Sequence, residues 1–462
     1  MSESYKILFV MRATTHFHYY RSIAEALLRR GHKLEVLFER FGEHWSEPTY
    51  LEPVLEVKKK FPSFSYSQAL NRKNWKAPVV RYLRTLLNYH HNLNFKGQPR
   101  FFRDRAISSY PAILKLPLKT FFGRFVICRQ FVGNFLRRIE NFIASEEAIV
   151  RHLKEIKPDV LVAPAGNLNG NSADIEYTKA AKSLGIPTVL PVISWDFLTT
   201  KGTIHIIPDR LLVWNEFHKK EALAHHKFPE ERIRIIGAPI FDKWLSIIGK
   251  NPKLDRKAFS QKYGLDLKNP FVIYLGSTAN VALDESWVVR GMRASLDADS
   301  VMKNIQIIVR PHPAHWKIYE SIKNLKNVFI IPEIGGVMPD NEASLELFYE
   351  TLYHSVAAAG INTSGMIDAM VAGKPLITMF IERYRSRQEK TAYFQHLLAS
   401  GSSYLAKNGD EFANHLKELL SGRDLKKIKR DAFIRDAIRS RGLDKSAGEA
   451  AALEIENLLK SK

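Results

Sequence analysis

Short apolar runs alternate with amphipathic stretches along most of the chain. Residues 6–11 (KILFVM) form an apolar run typical of a buried strand. Residues 19–30 carry Ile23, Ala26 and Leu27 at helical spacing, and Gly31 follows as a helix stop. The run HKLEVLFE then predicts a second strand. A strand, a helix and a strand in so short a segment predict a βαβ unit, and therefore a parallel sheet with both faces covered.

The same alternation returns after residue 158 and continues to residue 380. PDVLVAPAG, GIPTVLPVIS and DRLLVWN predict strands, with a helix near 172–184. Gly, Pro and charges cluster at 247–259 and indicate a linker, after which PFVIYLGST, IQIIVRPHP, NVFIIPE, AAAGINTS and KPLITMF predict a second sheet. We therefore predict an α/β protein of two Rossmann-like doubly wound domains facing a cleft. The domains are expected at 1–250 and 251–420, with a helical tail at 421–462.

Charge is concentrated in one part of this pattern. The chain of 462 residues has a formal net charge of +21. The window from Lys58 to Arg138 holds eighteen Lys and Arg against one acid, Asp104, and so carries +17 of it. We interpret residues of about 55–145 as a basic helical insertion in the first domain. A localised basic region predicts an acidic partner; we favour an anionic membrane surface and expect no nucleic acid, since no known nucleic-acid-binding module is present.

One stretch of this insertion predicts an amphipathic helix over 121–142. Its apolar stripe steps by three and four residues and consists of Phe121, Phe125, Cys128, Val132, Phe135, Ile139 and Phe142. Such a stripe packs on the core in most soluble proteins. The alternative is a helix that lies on a membrane surface.

Further features limit the class of protein. No apolar run reaches the roughly 18 residues that a membrane-spanning helix needs, and the N-terminus does not resemble a secretory signal. Cys128 is the single cysteine, which excludes an intramolecular disulfide and an all-cysteine metal site. We expect a cytoplasmic protein that can associate with the inner face of the membrane. No metal site is evident, and His225 and His226 are interpreted as solvated helix residues.

Three strands of the second half end in groups that can bind an anion. In doubly wound sheets, ligands bind beyond the carboxyl ends of the strands, so these groups are expected at one edge. The candidates are Gly276, Ser277 and Thr278 after one strand, Arg310, His312 and Pro313 after another, and Asn362, Thr363 and Ser364 after a third, where a helix begins. Amide groups and the dipole at that helix start favour a phosphate.

Each of these groups also has a purely structural interpretation. A Ser or Thr before a helix is usually only its N-cap, and a strand that ends in Gly-Ser-Thr is often only a turn. Asp368, about one turn into the helix, can bind a ribose diol or merely complement the dipole. The RPHP tetrad is harder to dismiss, because two prolines fix a loop that carries an arginine and a histidine.

These segments resemble the nucleotide-binding domain of GT-B-fold glycosyltransferases over roughly residues 155–400. More narrowly, they resemble enzymes with an HP motif and a Ser-rich helix start, such as bacterial sialyltransferases, capsular Kdo transferases and CDP-glycerol glycerophosphotransferases. His312–Pro313 and Thr363–Ser364 are the matching residues. The resemblance implies that both motifs hold the phosphate and ribose of a cytidine nucleotide, without a metal or a further cofactor. The sialyltransferase motif of two acids and a glycine is absent. SWDFLTTKG and the segment from Arg210 to Trp244 also resemble UDP-N-acetylglucosamine 2-epimerases.

The first half is then expected to bind the acceptor and to supply the base. His16 lies in the loop after the first strand, where many GT-B enzymes carry a histidine that deprotonates the acceptor hydroxyl. Asp196 is the carboxylate alternative. Either residue can equally be structural, as a surface or core histidine or a turn aspartate.

The sequence thus predicts a glycosyltransferase that moves a sugar from a CMP- or other nucleotide donor to a hydroxyl of a cell-envelope glycan or glycolipid. Three alternatives remain open at this point. They are a polyol-phosphate transferase, a nucleotide-sugar 2-epimerase of the same fold, and a non-catalytic binder of anionic glycans or lipids.

Overall fold

The computed structural model describes residues 3–41, 50–164, 172–333, 339 and 341–461. The chain divides into two compact units: Met1–Asp242 with Asp436–Lys462, and Lys243–Arg435. Each unit contains one parallel sheet with helices in its crossover connections. The predicted α/β class with two Rossmann-like domains is therefore confirmed.

The strands and helices follow one another in regular α/β alternation except between residues 77 and 142. The strands are β1 Lys6–Ala13, β2 Lys33–Arg40, β3 Phe64–Gln68, β4 Val160–Val162, β5 Thr188–Pro191, β6 Arg210–Val213, β7 Ile233–Ile235, β8 Phe271–Leu275, β9 Gln306–Arg310, β10 Val328–Ile330, β11 Ala358–Gly360, β12 Leu376–Met379 and β13 Tyr404–Ala406. The helices are α1 Arg21–Arg29, α2 Glu52–Lys60, α3 Ala77–Asn94, α4 Arg100–Ala106, α5 Ala112–Lys119, α6 Phe121–Ile127, α7 Gln130–Phe142, α8 Glu147–Ile156, α9 Ala173–Ser183, α10 Phe197–Thr200, α11 Glu216–His226, α12 Arg256–Tyr263, α13 Ser286–Ala298, α14 Glu342–His354, α15 Ser364–Val371, α16 Ala392–Ser400, α17 Gly409–Leu420, α18 Lys427–Phe433 and α19 Ala447–Lys460.

The sheet of the first unit has the strand order β3-β2-β1-β4-β5-β6-β7, and all of its strand pairs are parallel. The chain winds outward from β1 to β3 and then returns to the other side of β1. The winding direction therefore reverses between β1 and β4. Loops on both sides of such a reversal leave a crevice at the carboxyl edge, where sheets of this type bind their ligands.

The second unit repeats this topology. Its sheet has the order β10-β9-β8-β11-β12-β13, again with parallel pairs, and the winding reverses between β8 and β11. Strands β8 and β9 are covered on both faces, because every residue of each strand is buried, including Gln306 and Arg310. This explains why the strands read as continuous apolar runs without alternation.

The basic helical segment is shorter than the predicted 55–145. Strand β3 lies inside that window but pairs in parallel with β2, Leu34 opposite Phe64, and so belongs to the sheet. The helices α3 to α7 occupy 77–142. Among the described residues, no helix is long and apolar enough to cross a membrane.

The prediction of a single amphipathic helix over 121–142 is wrong in two respects. The chain breaks it at Cys128 and Arg129, leaving α6 and α7. The phenylalanines of the stripe also do not pack on the core, since Phe121 is 86% exposed and Phe142 91% exposed, whereas Val132 and Ile139 pack partly buried against Leu136 and its neighbours. The buried face of α7 is instead made of Gly133, Leu136 and Glu140, the last paired with basic groups of α3 and α9.

The last residues of the chain join the first unit, although the sequence suggested a separate tail from 421. Asp242 is buried and holds them: its carboxylate accepts from Arg439 Nη1 at 2.8 Å, from Ser446 Oγ at 2.8 Å and from the Gly448 backbone N–H at 2.8 Å. Helix α19 then packs against α1. The unit boundary at 242/243 lies close to the predicted 250/251.

The interpretation of the two adjacent histidines on α11 as solvated is wrong for one of them. His226 is buried, its Nε2 lies 2.8 Å from the Leu198 carbonyl oxygen, and its ring stacks on His91 with 4.9 Å between centroids. His225 is partly exposed and stacks on Phe95 at 3.8 Å. The described residues contain no cluster of three His, Cys, Asp or Glu that could hold a metal ion.

Candidate functional site

The three predicted anion-binding segments of the second unit meet at the carboxyl edge of its sheet. The loops after β8 and β11 flank the reversal point, and the loop after β9 lies next to the first of them. The Asn362 backbone N–H donates to Ser277 Oγ at 3.5 Å, which joins the β8 and β11 loops directly. The parallel topology therefore brings together residues that lie 85 positions apart in sequence.

Gly276 permits this close approach. A Cβ added at Gly276 would lie 2.6 Å from the Tyr319 hydroxyl and 3.0 Å from the His312 backbone nitrogen. Any side chain would therefore push the β8 and β9 loops apart. The next residues turn the chain, since the Thr278 carbonyl accepts from the Val281 N–H at 2.9 Å.

Glu285 supports these loops from inside, a role that sequence reasoning missed. It is fully buried, its Oε1 accepts from the Tyr319 hydroxyl at 2.7 Å, and its Oε2 accepts from the Tyr274 hydroxyl at 2.9 Å. The Ser277 backbone N–H also donates to Oε1. Burial outweighs these donors and raises the pKa of Glu285. Nothing local distinguishes this acid in the sequence, because LDESW reads only as a helix start.

Arg310 places a buried cation at the same edge. It is the last residue of β9 and is 7% exposed, and its guanidinium carbon lies 4.3 Å from the centroid of the Phe348 ring. Burial lowers the pKa of Arg310 to about 10, with Asp368 opposing the shift. The guanidinium thus stays charged at neutral pH in a poorly solvated position, where an anionic ligand would be held strongly.

His312 is a hydrogen-bond donor at this edge and not a second cation. Burial lowers the pKa of His312 to about 4, with a smaller contribution from His315, so the ring is neutral at pH 7. The Ala314 backbone N–H donates to Nδ1 at 3.2 Å, so Nδ1 is unprotonated and Nε2 carries the proton. The intervening Pro313 fixes the backbone between these two groups.

The third segment begins a helix as predicted. Thr363 is the N-cap of α15, and its hydroxyl accepts from the Gly365 N–H at 3.4 Å; Ser364 is the first helical residue. Asn362 is tied to the protein, because its Nδ2 donates to the Arg387 carbonyl and to the Tyr393 hydroxyl, both at 2.7 Å. The amides at this helix start carry the positive end of the dipole.

Asp368 is engaged by neighbouring residues of its own unit. Its Oδ1 accepts from Trp244 Nε1 at 2.7 Å and lies 3.1 Å from Lys243 Nζ, and the side chain is buried. A ribose would have to compete with these two partners. The predicted ribose contact stays a prediction, and the visible role of Asp368 is to fix Trp244.

In the first unit, His16 lies on a short 3₁₀ helix, Thr14–Tyr19, that follows β1 at the reversal point. Its ring makes an edge contact with Tyr19 at 6.2 Å between centroids. The neighbouring His18 is held differently, with Nδ1 2.7 Å from the Thr15 carbonyl oxygen. His16 therefore occupies the edge at which a ligand of this sheet is expected.

Asp196, the alternative base, follows β5 and has three donors on its carboxylate. They are the Ser194 hydroxyl, the Thr200 hydroxyl at 2.8 Å and Lys201 Nζ at 3.3 Å. Burial alone would raise the pKa of Asp196, but Lys201 and the hydroxyl donors lower it below its usual value. A carboxylate so stabilised is a weak base, and its visible role is to orient Thr200 and Lys201.

No protein-family model matches the chain, and no curated protein matches it in sequence. Solved structures match its fold along nearly the whole length. The UDP-GlcNAc 2-epimerase of Neisseria meningitidis bound to UDP-GlcNAc is 11% identical, with 98% of this chain and 100% of that one covered and a TM-score of 0.52. S. aureus MnaA with UDP is 11% identical, with coverages of 99% and 97% and a TM-score of 0.56. A glycosyltransferase from Rickettsia africae is 13% identical, with coverages of 99% and 98% and a TM-score of 0.54.

At these identities the matches show the fold. The chain has two parallel-sheet, Rossmann-like domains like those of its GT-B neighbours, as its own topology indicates. The narrower resemblance to HP-motif transferases stays a prediction.

Proposed function

We propose that this protein is a glycosyltransferase that uses a nucleotide-activated sugar. The observation that carries the proposal is the convergence of Arg310, His312 and the start of α15 at one edge of the second sheet. A buried cation, a neutral donor and helix amides suit a phosphate group. Two of the matching structures hold UDP-GlcNAc and UDP, which supports a nucleotide ligand for the same fold.

The chemistry follows from these groups. The bond between the anomeric carbon and the donor phosphate breaks, the acceptor oxygen bonds to that carbon, and the acceptor proton passes to a base. Negative charge grows on the leaving phosphate as the bond breaks. Preorganised donors such as Arg310 and His312 Nε2–H stabilise that charge more in the transition state than in the bound substrate.

His312→Ala is expected to weaken binding of the preferred nucleotide by roughly 10–150-fold. The lost contact is a hydrogen bond to a charged phosphate, worth about 1.5–3 kcal/mol. A thermal-shift screen of the wild-type protein against CMP, CDP, UDP and GDP identifies the nucleotide, because a ligand that binds the folded state raises Tm. Calorimetry with that nucleotide then compares the variant with the wild type.

His415→Ala is the matched control. This histidine is also in the second unit and partly exposed, and its Nε2 lies 3.0 Å from the Leu405 carbonyl oxygen. We expect the His415→Ala substitution to leave the nucleotide affinity unchanged. The proposal fails if none of the nucleotides binds the wild type, or if His312→Ala binds the nucleotide as tightly as the wild type does.

A donor-only assay separates transfer from epimerisation. The fold is shared with proteins described as UDP-GlcNAc 2-epimerases, which supports this second candidate. An epimerase converts the nucleotide sugar without an acceptor. A transferase leaves the donor largely intact until an acceptor hydroxyl is supplied, so rapid acceptor-independent conversion would favour the epimerase.

We further propose that the acceptor is a cell-envelope glycan or lipid reached from an anionic membrane surface. Helices α5, α6 and α7 carry large apolar side chains that are more than 60% exposed, which we call the aromatic face: Ile113, Leu116, Phe121, Phe122, Phe131, Phe135 and Phe142. Lys119, Arg129 and Arg138 are exposed on or next to the same helices. Exposed apolar side chains among basic groups are typical of helices that lie in a membrane interface.

Vesicle flotation tests this part of the proposal. We expect the wild type to float with vesicles that contain phosphatidylglycerol and to float much less with phosphatidylcholine alone, because each basic group near an anionic surface contributes about 1 kcal/mol. Phe121→Ser with Phe131→Ser should reduce binding at least roughly tenfold, since each buried phenylalanine side chain contributes about 1.5–3 kcal/mol. Both positions are exposed, so we expect the double variant to fold like the wild type.

Val301→Ser, at an exposed apolar position of the second unit, is the control and should float like the wild type. Equal flotation of the wild type with both vesicle types at low salt would contradict electrostatic association. Unchanged flotation of the double variant would contradict a role for the aromatic face.

A further inference from the structure

The first unit contains a cavity of about 470 Å³ at the carboxyl edge of its sheet. Arg12 belongs to β1, Arg40 ends β2, Ser172 precedes α9 in the connection after β4, and Lys201 follows α10 in the connection after β5. These residues come from both sides of the reversal between β1 and β4. The cavity therefore occupies the position at which doubly wound sheets bind ligands.

Helices of the basic insertion form the other wall. Arg81, Thr85, Asn88 and Asn92 line the cavity and recur at three and four residues, so they lie on one face of α3. Arg105 of α4 lines it as well and donates to the Thr200 carbonyl. The insertion thus encloses the edge of the sheet.

The wall is strongly cationic. Within the described ranges, five basic side chains and no acid line the cavity. Two acids of the described residues pair with these cations from outside the cavity wall: Asp196, 3.3 Å from Lys201 Nζ, and Glu39, 3.9 Å from Arg40 Nε. Arg81 donates from Nη2 to the Tyr82 hydroxyl at 3.2 Å, and its Nε is buried and makes no hydrogen bond within the described ranges.

We propose that this cavity binds a phosphate ester or pyrophosphate group carried by the acceptor. The proposal rests on the proposed function, in which the first unit takes the acceptor. Guanidinium groups match phosphate oxygens in geometry and charge. The hydroxyl and amide side chains of the wall suit the hydroxyls of a sugar, and the volume is in the range of small-molecule sites.

The position of the cavity is also compatible with a phosphate group that is attached to a lipid. Ser108 and Ser109 line the cavity, and α5 begins at Ala112, next to the exposed Ile113 of the aromatic face. A soluble phosphate ester shares the same chemistry.

Calorimetric titration of the full chain with inorganic pyrophosphate tests the site. We expect Arg12→Gln and Arg81→Gln each to weaken pyrophosphate binding roughly tenfold or more, since each removes a charge-assisted contact. Arg151→Gln, an exposed position on α8, is the matched control and should bind like the wild type. His312→Ala should keep the arginine-dependent part of pyrophosphate binding, because it removes a group of the other unit. Circular dichroism and the nucleotide affinity of each arginine variant report on folding.

Loss of pyrophosphate binding in the arginine variants, with unchanged nucleotide affinity, supports the cavity site. No binding to the wild type, equal binding in all variants, or loss only in His312→Ala overturns it. A third outcome is that pyrophosphate binds in an arginine-dependent way while no nucleotide binds. This outcome would contradict the proposed function but would still support the cavity site.

A second set of titrations separates the sources of the phosphate. If phosphatidic acid vesicles compete with pyrophosphate in the wild type and Arg81→Gln weakens both, the site accepts a lipid-borne phosphate. If Arg81→Gln weakens the binding of free pyrophosphate but not of the vesicles, the site binds a soluble phosphate ester. Vesicle binding that is insensitive to Arg81→Gln reports on the aromatic face alone.

Discussion

His16→Ala is expected to lower kcat for glycosyl transfer by roughly 10²–10⁴-fold, the usual contribution of a general base. His16 follows β1 at the reversal point of the first sheet, and an imidazole titrates near neutral pH. The affinity for the nucleotide should change little, because the proposed nucleotide-binding groups belong to the second unit. Steady-state kinetics and calorimetry on the same preparation separate these two quantities.

His18→Ala is the matched control, two residues away on the same 3₁₀ helix. Its Nδ1 lies at hydrogen-bonding distance from the Thr15 carbonyl, so a structural role is visible and a smaller loss of kcat is expected. Asp196→Asn tests the alternative base. Near-wild-type turnover of His16→Ala together with an inactive Asp196→Asn would transfer the role to Asp196, in spite of the three donors that lower its pKa.

Glu176→Gln is expected to destabilise the first unit by about 3–5 kcal/mol, because removing one member of a buried ion pair leaves its partner uncompensated. Glu176 lies 2.7 Å from Arg72 Nη2 and 2.7 Å from Arg84 Nη2. Arg84 also lies 2.6 Å from Glu140, which in turn pairs with Lys179 at 2.9 Å. All but Lys179 are buried, and the network ties α3 and α7 of the insertion to α9. Denaturant unfolding followed by circular dichroism measures the loss.

The loss of stability caused by Glu176→Gln should become smaller at acid pH. Burial raises the pKa of Glu176, but Arg84 and Arg72 outweigh burial and lower it below the usual value. A carboxylate with a lowered folded-state pKa stabilises the fold above its unfolded-state pKa, and this contribution disappears as the pH falls through the folded-state pKa. The free energies of unfolding of the wild type and of Glu176→Gln should therefore differ most near neutral pH. They should become equal as Glu176 is protonated in the wild type.

Glu230→Gln provides the control for this comparison. Glu230 pairs with Lys219 at 2.8 Å on the surface of the same unit, and its side chain is 63% exposed. Exposed pairs contribute little, so this variant should unfold like the wild type at every pH. An equally small effect of Glu176→Gln at neutral pH would show that the buried network is not needed for stability.

The two sheets, and the edges at which their candidate site residues lie, were predictable because they follow from local patterns. Short apolar runs separated by helical stretches allow parallel pairing, and parallel pairing puts the carboxyl ends of neighbouring strands at one edge. This was enough to expect Gly276, Arg310 and Thr363 near one another. The N-cap role of Thr363 was predictable for the same reason, since a cap depends on residues within one turn.

The orientation of the insertion was not predictable in this way. Hydropathy along 121–142 favoured a buried aromatic stripe, yet α7 buries Glu140 and exposes Phe135 and Phe142. The reason is that Arg84 and Lys179, fifty-six residues before Glu140 and thirty-nine after it, neutralise the acid in the interior. No window of local sequence contains all three charges.

The sequence by itself determined the alternation of strands and helices, the split into two α/β units and the edge at which each unit offers its polar groups, because these depend on spacing along the chain. Only the tertiary structure decided the protonation of His312, the burial of Glu285, the partners of Asp368 and the cationic cavity around Arg81. Each of these depends on desolvation or on charges brought together from distant segments. Such interactions act through space, and the linear pattern of polar and apolar residues does not record them.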